Sequence, residues 1–201
     1  MLNEPADRTQ KTETANASRW HHSPAHAFEP GRAYFITAAT LYKRHYFHDD
    51  RRLTMFQKTL FETVDDYEWR LEAWAIFSNH YHCIMLAPAT GHGKNLKALI
   101  QRIHSQSARN INILDNAAGR RVWFQYRDTM LTYDKSYYAR LNYTHHNAVK
   151  HGIVLDARQY PYCSAAWFEQ NATNSLFQKI SSFKWDTVNV DDDYDVEWRH
   201  P

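Results

Sequence analysis

The sequence predicts an α+β fold, an antiparallel β-sheet with helices packed on one of its faces. Three observations predict it. Runs with period-two alternation, rich in aromatic and β-branched residues, are separated by longer runs with helical spacing. Their order reads β-α-β-β-α-(β)-α, with a turn between the second and third strands. The helical runs are long and the strands few, so one sheet covered on one side buries their apolar residues; the other side is then open for a ligand. The chain has 201 residues, 43% of them hydrophobic, enough for one compact domain with a sizeable core.

Each element has its own signal. Residues 1–30 are polar and unpatterned, which predicts a flexible arm. "RAYFITAATLY" alternates and reads as a first strand. "DDRRLTMFQKTLFETVDDY" opens with Asp49 and Asp50 as candidate caps and spaces Leu53, Phe56, Leu60, Phe61 and Val64 as a helix does. "EWRLEAWAIFS" is a second strand, Ser78 and Asn79 a turn or bulge, and "YHCIMLA" a third strand running back. "LKALIQRIHSQSARNINILDN" is a long amphipathic helix, with Leu96, Leu99, Ile100, Ile103, Ala108 and Ile111 as its apolar stripe. It ends near Asn116 and Gly119. "RVWFQYRDTMLTY" adds strand or extended chain, and "DKSYYARLNYTHHNAVKH" a second long helix stopped by Gly152. "YPYCSAAWF" is an aromatic connection. Residues 31–170 thus form the domain, and 171–201 read as an acidic C-terminal tail.

Composition excludes several classes. No apolar run reaches the roughly 18 residues of a membrane span, and the N-terminal residues show no apolar stretch of a signal peptide. Cys83 and Cys163 form no CxxC pattern, so a disulfide scaffold is not expected and a cytoplasmic setting is. Net charge is only +2, yet residues 94–150 hold ten Lys/Arg against three acids, and the stretch Asp186 to Glu197 is acidic. A basic middle on a near-neutral chain suggests one face for an anionic ligand; the plain alternative is solvated helix faces.

Two stretches carry candidate chemistry. In "AWAIFSNHYHCIMLAP" the third strand holds His80 and His82. Residues two apart on a strand point to the same face, so both imidazoles project together and suit two ligands of one metal ion. Tyr81 and Cys83 face the other way. With 13 histidines in the chain, chance alone supplies about one H-x-H pair, so the pair carries weight only in company. The company is "LNYTHHNAVKHGIV". Tyr143 and Asn147 lie four apart on one helix face, with Arg140, His146 and Lys150 on or beside it. Without the histidine pair this would be an aromatic anchor with a solvated polar edge. With it, two imidazoles and an amide oxygen form a three-ligand site for a hard divalent ion such as Mg²⁺ or Mn²⁺, which would polarise a phosphate oxygen. Tyr143 would be the nucleophile, forming a phosphotyrosine. Its ordinary pKa near 10 requires activation by the ion, by Arg140 or Lys150, or by a histidine base, for which His146 is the candidate.

At this point the sequence resembles a known family. "SNHYHCIML" looks like the HUH strand of single-tyrosine HUH transposases. "YTHHNAVKHGIV" resembles the Y-x-x-x-N-P-V-[KR]-x-G-[LIV] signature of REP-associated tyrosine transposases, which are IS200-like, and "YPYCSAAWF" the aromatic segment that follows it. The likeness runs from about Tyr34 to Phe168. It implies the ferredoxin-like HUH endonuclease fold, His80, His82 and Asn147 as metal ligands, and Tyr143 as nucleophile. It also implies cleavage of single-stranded or hairpin DNA in a bacterial cytoplasm by a monomer or homodimer, leaving a 5′-phosphotyrosine and a free 3′-OH. One position departs: Ala148 stands where the family usually has Pro, so the helix is expected to continue past the Asn.

The basic residues then gain a role. Lys94, Lys97, Arg102 and Arg109 recur along one helix and would track a phosphate backbone, with Arg140 and Lys150 nearer the signature. Trp123, Phe124, Tyr126 and Tyr133 would stack bases where they are not core. Two alternatives stay open: a domesticated relative that binds structured DNA or RNA without cutting, and a metal phosphodiesterase with water as nucleophile.

Overall fold

The computed structural model describes residues 29–90, 95–190 and 192–196. Most of the expected N-terminal arm, and Lys94, lie outside these. The elements are β1 (Ala33–Thr40), α1 (Asp50–Asp66), β2 (Arg70–Ile76), β3 (His80–Leu86), α2 (Leu96–Leu114), β4 (Trp123–Leu131), α3 (Asp134–Lys150), α4 (Ala165–Asn171) and α5 (Asn174–Ser181). The sheet order is β2-β3-β1-β4, antiparallel throughout. This is the α+β architecture expected from the sequence, a β-α-β-β-α-β unit with the two central strands contributed by β1 and β3.

Local chemistry sets the boundaries. Asp49 caps α1 by accepting from Arg52 N at 2.9 Å, and Asn95 caps α2 by accepting from Ala98 N at 2.9 Å. α3 stops at Gly152, whose φ of +68° is the left-handed conformation that glycine adopts without steric cost. With Ala148 in place of Pro, α3 runs unbroken through that position to Lys150.

Period-two alternation gives the sheet two different faces. On the first, Tyr34 and Ile36 of β1 and Tyr81, Cys83 and Met85 of β3 pack against Leu53, Phe56 and Leu60 of α1 and Leu99, Ile100 and Ile103 of α2. Phe56 stacks among Phe47, Tyr81 and Trp123, with ring centroids 5.0–5.2 Å away. On the second, Phe35 of β1 and Ile84 of β3 meet Leu141 and Tyr143 of α3, Phe168 of α4 and Ile180 of α5. This second face is therefore not left open as the pattern suggested: α3 crosses it, packed on β2, β3 and β4. The buried side of α3 mixes Asn142, Thr144, His145 and Asn147 with Leu141 and Tyr143, so no apolar stripe announced it.

The stretch after residue 170 is also more than a tail. α5 buries Ile180, and Phe177, Trp185, Val188 and Val190 pack on the same cluster. Among the described residues both cysteines are buried and free, and no helix is long and apolar enough to cross a membrane.

The aromatic cluster under the first face predicts where stability resides. Phe56→Ala should cost about 3–5 kcal/mol in urea denaturation. Leu155→Ala, at a side chain 98% exposed, should stay within about 0.5 kcal/mol.

Candidate metal and nucleophile site

β3 sets His80 and His82 side by side at the centre of the sheet, both fully buried. Each ring is held at its inner nitrogen. His82 Nδ1 lies 2.8 Å from the hydroxyl of Thr37, its register partner on β1. His80 Nδ1 lies 2.8 Å from Asn79 Oδ1. The amide nitrogen of Asn79 donates to the carbonyls of Lys43 and Asp195, so its oxygen accepts and His80 carries its proton on Nδ1. The two Nε2 atoms are left facing one point, and neither makes a hydrogen bond.

α3 brings the second half. Tyr143, Asn147 and His151 follow at four-residue intervals along one stripe, with Lys150 beside them. The Tyr143 ring sits edge-on to His82 at 5.6 Å, and Phe35 stacks flat on His82 at 5.7 Å. Asn147 is fully buried and its Oδ1 makes no hydrogen bond. Lys150 Nζ donates to the Tyr143 hydroxyl at 3.2 Å.

At their meeting point lies a carboxylate from the far end of the chain. Asp192 Oδ2 accepts from the Tyr143 hydroxyl, from Asn147 Nδ2 at 2.9 Å and from Lys150 Nζ at 2.8 Å. Asp192 Oδ1 lies 3.4, 3.3 and 3.1 Å from Nε2 of His80, His82 and His151. The side chain is fully buried. Burial alone would raise its pKa; the contacts with His151, His80 and His82 outweigh that and hold it well below the carboxylate range. Burial, and then the charge of Asp192, push Tyr143 far above an ordinary phenol. Burial holds His80 down to about 3 and lowers His82 as well.

The Nε2 atoms of His80, His82 and His151 converge on one carboxylate oxygen, a cluster of metal-type donor atoms. Donor atoms of His80, His151 and Asp192 all lie within 4.8 Å of one another. Two buried imidazole nitrogens and an amide oxygen, none hydrogen-bonded and with the rings fixed from behind, fit a divalent metal ion.

The other sequence-selected residues divide. Arg140 lies over the Phe35 ring at 5.7 Å, so it and Lys150 flank the site. His146 does not reach the phenol: its Nδ1 lies 3.0 Å from the Asn142 carbonyl and its ring stacks on Trp185. The histidine that reaches the cluster is His151, one turn beyond Asn147 on the same stripe, a spacing visible in the sequence. Lys97, Arg102 and Arg109 are exposed on α2, across the sheet from Tyr143. Of the four aromatics, Trp123 is core and Tyr126 packs against it, while Phe124 and Tyr133 are exposed.

Comparison with known proteins gives a consistent result. The family described as transposase IS200 like matches residues 32–148, more than half of the chain. Among solved structures, a REP-associated tyrosine transposase bound to a REP hairpin is similar over 90% of this chain and 99% of its own, with 16% identity and a TM-score of 0.61. A protein from Deinococcus radiodurans R1, named only provisionally as a transposase, aligns over 55% of this chain and 87% of its own at 15% identity and a TM-score of 0.42, a likeness too low to bear on the fold. No curated protein matches the sequence.

The donor set predicts ion-dependent stability. Mn²⁺ at about 100 times its dissociation constant should add about 2.7 kcal/mol to the unfolding free energy, reversed by EDTA. His80→Ala and His82→Ala should each remove that gain in the same titration. A gain kept in full by both variants would put the ion elsewhere.

Proposed function

The chain belongs to the IS200-like transposase family, and we propose that it cuts and rejoins single-stranded or hairpin DNA through a phosphotyrosine on Tyr143. One observation carries the reading. The hydroxyl of Tyr143 donates to the same carboxylate that the Nε2 atoms of His80, His82 and His151 surround, so nucleophile and candidate ion ligands meet at one position. A scissile phosphate in that position would meet both. The similar solved structure holds a REP hairpin, and a hairpin with an unpaired flank is the substrate form proposed for this chain.

His80, His82 and Asn147 would hold Mg²⁺ or Mn²⁺. When bound, the ion supplies positive charge that draws electron density from a phosphate oxygen. The remaining work falls to the chain. Lys150, 3.2 Å from the phenol oxygen, stabilises the phenolate as its proton passes to solvent water. The phenolate oxygen forms a bond to phosphorus as the bond from phosphorus to the 3′ oxygen breaks. That oxygen takes a proton from solvent and leaves as a free 3′-OH, with the 5′-phosphate on Tyr143. Attack by another 3′-OH on the same phosphorus expels the phenolate and joins the strands without ATP. Thr37 and Asn79 fix the two imidazoles from behind, so that donor orientation does not have to be built during the step.

The test is a covalent adduct. Labelled hairpin oligonucleotides incubated with protein and Mn²⁺ or Mg²⁺ should give a protein–DNA band on denaturing gels, absent with EDTA, in Tyr143→Phe and in His80→Ala. Lys150→Gln should slow its formation by about 100-fold. Strand cutting that survives in Tyr143→Phe would mean that water is the nucleophile, and a hairpin shift with no cutting by any protein would mean a binding module.

A further inference from the structure

α3 has a second flank that the proposed reaction does not use. At 3.6 residues per turn, Asn142, His145 and His146 lie beside the stripe of Tyr143 and Asn147. They line a cavity of about 340 Å³ between α3, α4 and α5, toward the small end of ligand sites. Its walls are flat rings in near-parallel pairs. His146 stacks on Trp185 with 6° between the planes, His145 on Phe168 with 15° and Phe168 on Phe177 with 25°.

His145 is the anomaly. It is only 2% exposed. Its Nδ1 lies 2.9 Å from Oγ of Ser164, a residue that does not line the cavity. Nε2 is the nitrogen left for the cavity, and it is buried with no hydrogen bond. A buried polar atom without a partner is rare and calls for a reason. At the mouth, Arg158 is held by Asp156 at 2.9 Å and by Glu169 at 3.1 Å. Two carboxylates against one guanidinium disfavour a phosphate there, and their oxygens accept from amino groups.

We propose that this cavity takes one unpaired base of the DNA, turned out of the strand, and so sets where the cut falls. The proposal rests on the reading of the site given above. Tyr143 and the ion donors address a phosphate, which carries no sequence information. A cut at a fixed place therefore needs a separate reader. A base is flat and has both donors and acceptors on its edge, so it meets the stacked rings and His145 Nε2 together. Its phosphate stays outside, away from Asp156 and Glu169. A helix is about 10–12 Å across, or about three nucleotides at roughly 3.4 Å each. The base that is read thus lies within about three nucleotides of the phosphate on Tyr143. In an unpaired flank it has no pairing partner to lose, so turning it out costs least there.

The experiment measures binding apart from chemistry. Labelled hairpin oligonucleotides, with an abasic site at each position of the unpaired flank in turn, are titrated in EDTA against the full chain, Trp185→Ala and Ser181→Trp. Trp185→Ala removes a wall; Ser181→Trp fills the cavity from an exposed position on α5. In the full chain one abasic position should weaken binding by about tenfold, and that step should shrink in both variants. A mere packing role for Trp185 would weaken every oligonucleotide alike and keep the step. The proposal is overturned if no flank position shows a step, or if both variants keep it in full. It is also overturned if free nucleosides bind the full chain, and not Trp185→Ala, while no abasic site changes affinity. If no protein forms a covalent adduct yet the step is present and depends on the cavity, the cleavage reading falls and the base pocket remains. If adducts form and no step appears, only the pocket falls.

Discussion

Two fully buried imidazoles at the centre of a β-sheet are the constraint around which the rest is arranged. His80 and His82 are fully buried, and Asn79 and Thr37 fix their inner nitrogens. The outer nitrogens then point to one place with no freedom to turn elsewhere. An apolar cover over that place would strand two polar ring nitrogens, at a cost of about 1–3 kcal/mol each. The second face of the sheet must be polar at its middle. This is why α3 presents a tyrosine, an asparagine and a histidine there rather than leucines, and why its buried side looks so unlike that of α1 or α2.

The two faces divide the work. The first face holds the packed aromatic and aliphatic core, with Phe56, Tyr81 and Trp123 in contact. Tyr81 lies between the two histidines in sequence but belongs to that core, its hydroxyl 3.0 Å from His104 Nε2. One strand thus anchors the fold with its odd residues and the site with its even ones. Ala148 adds to this. A proline there would remove a helical N–H and bend the last turn. With alanine α3 runs on to Lys150, and the same straight stripe that holds Tyr143 and Asn147 carries His151 to the cluster.

Much of this was legible in the sequence because its signals are local. Strand alternation, the cap at Asp49, the H-x-H pair and the four-residue step from Tyr143 to Asn147 are each contained within a few residues, and the structure puts them together. What was not legible depends on tertiary placement. Nothing in the spacing of Lys97, Arg102 and Arg109 says on which side of the sheet α2 packs; it packs away from Tyr143. His146 sits three residues after Tyr143, close enough on a helix to serve as a base, but the aromatic ring of Trp185 draws it to the other edge. α5 has only eight residues, too short for a periodic pattern to stand out.

The last part of the chain shows how composition can hide a pattern. The stretch Asp186 to Glu197 holds six acids and no Lys or Arg, and a charge run usually reads as solvated chain. Beneath the charges, Val188, Val190, Tyr194 and Val196 keep strict alternation, the mark of an extended segment with one buried side. Asp192 occupies an inward position in that series. A basic middle and an acidic end nearly cancel in the net charge of +2, yet they meet in space where Asp192 lies on Lys150, and Asp193 pairs with Lys43 from outside that middle. A near-zero net charge can therefore hide a basic surface and an acidic segment paired with part of it, and the pairing, not the sum, sets the local field.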